Sequence, residues 1–282
     1  MSVLKNKRSV SDLEYDRSFK KLYYHTMDKL DRLPRRRQQA LSTPFIKILK
    51  ETYRIILDVE NNYADNKTGK AKKRYKNFKQ IISNLQSLEL PLFTYWNIVN
   101  GLKYPDHVSS ITDKKKKSWI ELINKEIDVV QGCIKKSKFY NEETDGEFEH
   151  VMYYKNSDLT TAKFLGSMST LQRVTHTYVM RMSSILKQTD GELLLELVNE
   201  AWYHCVKGNY VPETSEAYAK RRKHFSKAIS CLYSMNEPLI KVFNVMRLSD
   251  SQMRDYSCLL NRTKQMLLNL QSSDKQRFSD LT

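Results

Sequence analysis

An all-α fold of two tandem antiparallel four-helix bundles follows from three features of this 282-residue chain. Glycine (7) and proline (6) are scarce, so the punctuation that sheets and tight turns need is missing. Apolar residues recur at helical spacing over long stretches. The chain also matches itself. At an offset of 147, Asn62-Tyr63 pairs with Asn209-Tyr210, Phe78 with Phe225, Ile82 with Ile229, Leu85 with Leu232, Pro91-Leu92 with Pro238-Leu239 and Asn97 with Asn244. Farther on the offset falls to 137 and pairs Trp119 with Tyr256, Leu122 with Leu259 and Asn124 with Asn261.

The first copy reads as four helices. The first, over 12–33, opens on Ser11 and Glu14, which have the form of a capping box, and carries Phe19, Leu22, Tyr23, Met27 and Leu30 on one face. The second, over 36–63, carries Phe45, Ile48, Leu49, Ile55, Ile56 and Val59, with Pro44 as a candidate kink. The third starts near Lys70 and carries Phe78, Ile81, Ile82, Leu85 and Leu88; Pro91 is expected to kink or divide it, because it removes a backbone donor. The fourth starts at Asp113 and carries Trp119, Ile120, Ile123, Ile127, Val130 and Ile134. The second copy repeats this order over 159–187, 191–207, 215–247 and 250–271. Helices joined by short connections pack as antiparallel bundles. The expected division is a bundle at 1–134, a linker at 135–156 holding an acidic cluster (Glu142, Glu143, Asp145, Glu147, Glu149) and a short hairpin at 147–154, and a second bundle at 157–282.

The net charge of +16 favours a polyanionic partner. The cations cluster where helices start. Arg35, Arg36 and Arg37 open the second helix. Lys70, Lys72, Lys73, Arg74, Lys76 and Lys79 open the third, and Lys114, Lys115, Lys116 and Lys117 the fourth. In the second copy only Lys220, Arg221, Arg222, Lys223 and Lys227 recur. Positive charge at a helix start opposes the macrodipole, while backbone amides and lysines there can together grip phosphate. These residues are the candidate nucleic-acid contacts, with the first copy the more basic. Of the 17 tyrosines, Tyr63, Tyr75, Tyr210 and Tyr218 lie beside cations, where a ring either stacks on an unpaired base or packs between helices.

No apolar run approaches a membrane span, and the basic start lacks the apolar stretch of a secretory signal. The four cysteines are far apart, as in reduced thiols of a cytoplasmic protein. No phosphate-binding loop, dinucleotide fingerprint, nucleophile elbow or HExxH is present, and the six histidines have no paired ligand spacing, so neither a metal nor another cofactor is expected. The Arg-to-His spacing used by helical HEPN ribonucleases is missed by both Arg17 to His25 and Arg173 to His176.

The segment from Leu30 through Leu41 (LDRLPRRRQQAL), leading into a helix that ends at Val59-Glu60-Asn61-Asn62-Tyr63 and followed by a basic third helix, resembles the four-helix-bundle accessory variability determinants (Avd) of diversity-generating retroelements. It is similar also to the bundle proteins of ribosomal RNA intervening sequences. In the second copy the resemblance covers roughly 219–270. It implies a basic, oligomeric bundle without an active site, which binds a reverse transcriptase and its template RNA. A fused pair departs from the family's single bundle per chain. The expectation is thus a non-catalytic RNA-binding accessory protein, and no enzyme; a protein–protein adaptor of a mobile-element or phage-defence complex and a helical nuclease are the alternatives.

Overall fold

A computed structural model describes residues 13–33, 35–61, 68–101, 111–246 and 249–278. Ten long helices carry the fold: α1 (Leu13–Asp31), α2 (Arg35–Asn61), α3 (Thr68–Ser87), α4 (Glu89–Asn100), α5 (Asp113–Lys135), α6 (Lys163–Arg181), α7 (Glu192–Tyr210), α8 (Ser215–Ser234), α9 (Asn236–Met246) and α10 (Asp250–Phe278). Short helical turns lie at Glu142–Asp145, Asp158–Thr161 and Ser184–Leu186, and a π turn at Lys187–Gly191. The chain is all-α, with no strand among the described residues, and no helix among them is long and apolar enough to cross a membrane.

The chain divides into two compact units, Met1–Leu92 with Tyr104–Tyr153, and Phe93–Lys103 with Tyr154–Thr282. In the first, α1 packs on α2 and α5, and α3 packs on α2 and α5, which closes a ring of four helices. Trp119 of α5 donates to Thr26 of α1 at 3.1 Å, while Ser18 of α1 meets Glu126 farther along α5, so the two run antiparallel. The inward residues are the ones helical spacing selects: Phe19, Leu22, Phe45, Leu49, Ile56, Phe78, Ile82, Leu85, Trp119, Ile123 and Ile127 are all buried. Ser11, of the expected capping box, lies outside the described residues. Helix α2 runs through Pro44 without a break. Pro44 is exposed, so water can serve the carbonyl its missing N–H leaves unpaired. In the second unit the ring is α6, α7, α8 and α10 in the same order.

The long third helix is divided in both halves. Leu88 is the turn between α3 and α4, and Met235 the turn between α8 and α9; the offset of 147 maps one onto the other. Pro91 and Pro238 follow three residues later at corresponding positions. A proline there cannot donate to the carbonyl four residues back, and its ring crowds that carbonyl.

Two segments differ from the sequence expectation. The second half of α4 belongs to the second unit. Asn97 donates to Gln172 Oε1 (2.6 Å) and accepts from Ser169 (2.6 Å), while Phe93 and Trp96 surround Tyr154, whose ring also meets Trp202 edge-on at 5.4 Å. The segment expected as a linker is held against the first unit as far as Tyr153, and no hairpin forms at 147–154. Asn124 of α5 accepts from the Val151 N–H (2.8 Å) and donates to its carbonyl (3.0 Å). Glu89 accepts from Met152 N–H (2.9 Å), and Gln86 donates to the Glu149 carbonyl (2.8 Å). Helix side chains thereby satisfy backbone groups that a partner strand would otherwise have to pair.

Glu126 is wholly buried on α5. Burial pushes its carboxyl up to about 8, with Asp16 and Glu14 adding to the effect and the Ser18 hydrogen bond opposing it. Ser18 has one proton and also reaches the Glu14 carbonyl at 2.7 Å, so a protonated Glu126 can donate to the serine oxygen. In this window the folded state holds a proton that the unfolded chain releases near its ordinary value of 4.5. Stability therefore falls as pH rises from about 4.5 to 8 and levels off above. Between pH 6.5 and 8.5, thermal unfolding of the native chain is expected to shift downward, by up to roughly 1.4 kcal/mol per pH unit. Glu126→Gln should flatten that dependence; an unchanged slope in the variant would assign it to other groups.

Candidate nucleic-acid interface

The basic runs begin with a helix-start problem. Neither α2 nor α3 has an acidic residue in its first turn, so the cations there oppose the macrodipole. In α5 the start is stabilised by Thr112, whose hydroxyl accepts from Lys115 N–H at 3.3 Å, and by Asp113. In α8, Thr214 accepts from Ala217 N–H at 3.4 Å, and Glu216 lies in the first turn.

Helical register sorts the candidate cations into surface and interior. Arg35, Lys70, Lys72, Lys73, Lys76, Lys114, Lys115, Lys117, Lys220, Arg222, Lys223 and Lys227 are exposed, and Arg37 and Arg74 are half-buried. The Arg36 side chain and Tyr63 lie outside the described residues. Two candidates leave the list of surface contacts by burial, and a third is half-buried and ion-paired. Lys116 is 0% exposed, with Nζ 3.5 Å from Asp113, because it shares the inward stripe of Trp119, Ile120 and Ile123. Arg221 is 2% exposed. Its Nε donates to Asp274 at 2.7 Å and its terminal nitrogens to Glu213 (3.0 Å) and the Gly208 carbonyl (3.1 Å). The guanidinium lies over the Phe225 ring at 5.0 Å, where Gly208 lets α7 approach; a Cβ at 208 would meet that ring at 2.8 Å.

Lys79 is the third. It donates to Asp145 at 2.7 Å, and Tyr75 and the Asn141 backbone N–H donate to the same carboxylate. Burial opposes ionisation of Asp145, but these hydrogen bonds outweigh it and hold the carboxyl at about 2. The acidic cluster of the expected linker thus supplies a counter-ion to the basic start of α3. Lys73 is matched in the same way to Asp58 at 2.9 Å.

The remaining clusters of the first unit do not form one surface. Phe45 of α2 stacks on Trp119 of α5 at 5.7 Å. Arg35 lies about 15 Å before Phe45 along its helix, and Lys114–Lys117 lie within about 8 Å of Trp119, so both runs reach the same end of the bundle. The start of α3 is at the other end, beside Phe139 after α5 and Tyr15 at the start of α1, about 30 Å away along α5. The α2/α5 end also has a groove of about 330 Å³ lined by Met27, Leu30, Asp31, Arg35, Gln38, Gln39, Ser42, Thr43 and Ile46.

The described tyrosines beside cations are packing residues. Tyr75 donates to Asp145 and meets Phe139 at 6.1 Å; Tyr210 donates to Asp158; Tyr218 meets Phe278 at 5.5 Å. One pairing had no signal in the sequence. His204 of α7 and His224 of α8, twenty positions apart, approach with their Nδ1 atoms 3.0 Å from each other. Among the described residues no group of three or more His, Cys, Asp or Glu could hold a metal ion.

Arg221→Ala is expected to cost about 3–5 kcal/mol in urea unfolding, since it strands the buried Asp274. Arg222→Ala, one position on and exposed, should stay within about 0.5 kcal/mol. Equal costs for the two would contradict the burial that separates them. Comparison with protein-family models, with curated proteins and with solved structures finds no match to this chain.

Proposed function

We propose that this chain is a non-catalytic nucleic-acid-binding accessory protein that holds template RNA for a reverse transcriptase, in the manner of the Avd-like bundles it resembles. The observation that carries the reading is the α2/α5 end of the first unit. There Arg35, Lys114, Lys115 and Lys117 are exposed; Arg32 is exposed too but donates to Asp28 at 2.7 Å, and Asp31 and Asp113 are further acids among the described residues of these helix ends. The α3 start is basic too, but Asp58 and Asp145 already neutralise part of it. Phosphates are therefore gripped first at the α2/α5 end, and the start of α3 is a secondary contact for an RNA long enough to span the bundle.

The adaptor reading draws on a separate observation in the second unit. Ile185 (77%), Val245 (65%) and Ile240 (50%) are unusually exposed for their type. Apolar residues of this kind serve a protein partner such as the reverse transcriptase better than they serve phosphate.

The test is RNA binding by the purified chain at several salt concentrations. Affinity should fall steeply with salt. Charge reversal at Lys114, Lys115 and Lys117 should weaken binding to all RNAs alike and flatten the log–log salt slope by roughly two to three. Reversal of Lys72 and Lys76 should do less. Undetectable binding at about 50 mM salt would dispose of the proposal.

A further inference from the structure

The groove at the α1/α2 seam of the first unit is built from two helical stripes. On α1, Met27, Leu30 and Asp31 recur at intervals of three or four, and on α2, Arg35, Gln38 or Gln39, Ser42 and Ile46 do the same. The stripes enclose about 330 Å³, at the small end of the roughly 300–1,000 Å³ of clefts that hold small ligands. The apolar part of the lining is Met27, Leu30 and Ile46, and Ile46 is 39% exposed. The polar part includes one unsatisfied group. Ser42 is 5% exposed, and its hydroxyl has no hydrogen-bond partner. The next residue shows what such a hydroxyl ordinarily does: Thr43 donates to the Gln39 carbonyl one turn back at 2.7 Å. A buried hydroxyl without a partner is uncommon and costs stability unless a ligand completes it. Tyr24, one turn before Met27 on α1, is 67% exposed, and its ring meets Tyr23 edge-on at 5.8 Å.

We infer that this groove seats one unpaired base of the RNA whose phosphates the α2/α5 end grips, an inference that rests on the function proposed above. Arg35 lines the groove and is also one of the cations of that end, so a strand held there by its backbone passes the groove. Met27, Leu30 and Ile46 offer apolar contact to the face of a base. Gln38 and Gln39 each carry donors and an acceptor, Asp31 carries acceptors, and the Ser42 hydroxyl can serve as either. Such groups match the edge of a base, which presents donors and acceptors side by side. A bare phosphate is a poor occupant, because Asp31 repels it and the apolar side chains give it no hydrogen bond. A base inside a duplex has its pairing edge occupied, so the occupant comes from a loop, a bulge or an end. The exposed ring of Tyr24 is a stacking surface for the neighbouring base. Phosphate contacts hold an RNA without reading it, and the groove adds the contact that distinguishes an unpaired base.

The probe is one RNA hairpin with a single-nucleotide bulge, made with each of the four bases in the bulge and with an abasic residue there, so that every form has the same number of phosphates. Binding of the full chain is followed by fluorescence anisotropy at several salt concentrations. The best bound of the four should bind roughly tenfold tighter than the abasic form, with the same salt slope, as expected of one hydrogen-bonded base. Gln38→Ala with Gln39→Ala should remove that preference and leave the affinity for the abasic RNA unchanged. Ser42→Ala should reduce the preference without lowering the thermal unfolding temperature, because the hydroxyl it removes has no partner in the free protein. Equal binding of all five RNAs with a steep salt slope overturns the base pocket and leaves the phosphate grip at the α2/α5 end standing. A preference that survives both sets of substitutions puts the base elsewhere and overturns the pocket as well. Absence of binding to any of the five at about 50 mM salt overturns both readings.

Discussion

In α5 the inward stripe runs through Lys116, Trp119, Ile120, Ile123, Glu126, Ile127, Val130 and Ile134, and in α8 through Arg221, Phe225, Ala228, Ile229 and Leu232. A helix in a ring of four has no choice about this stripe. Its residues are buried whatever their chemistry, and the apolar majority supplies the free energy that holds the charged minority there. Each buried charge then needs an answer. Lys116 lies beside Asp113, Glu126 keeps its proton, and Arg221 is bound by Asp274, Glu213 and two backbone carbonyls. The basic surface of this protein is what remains once the interior has taken these residues.

The same constraint explains why the two halves divide their basic character. In the first unit, Arg35 and the outward lysines of α5 reach one end of the bundle, while the α3 start is partly answered by Asp58 and by Asp145 from the segment after α5. In the second unit the cations of α8 lie along a pair of hydrogen-bonded histidines. A helix start is therefore too coarse a description of either surface. What matters is which turn a cation occupies, which face it takes, and whether a carboxylate is packed against it.

Prolines placed a fixed distance after a helix break give the two halves a common plan. The chain nevertheless spends part of the first copy on the second unit, since Phe93, Trp96 and Asn97 complete a core and a polar network with Tyr154, Trp202, Ser169 and Gln172. The extended stretch before Tyr154 shows the complementary economy, with Asn124, Glu89 and Gln86 pairing its backbone in place of a strand. Amide and carboxylate side chains on a helix can do this wherever a neighbouring segment runs close and straight.

The sequence by itself determined the helical class, the long helices, most of the buried apolar positions and a kink or break of the third helix at Pro91, because helical period and proline sterics are local properties. It could also have sorted Lys116 and Arg221 to the inside, since each lies in register with the apolar residues that follow it. Only the tertiary structure decided that Asp145 holds Lys79 and Tyr75, that Asp274 holds Arg221, that the basic starts of α2 and α5 share an end from which α3 is excluded, and that His204 meets His224. Those outcomes depend on which helices are neighbours and at what height they cross. Pairings across fifty or seventy residues leave no spacing in the chain from which they could be read.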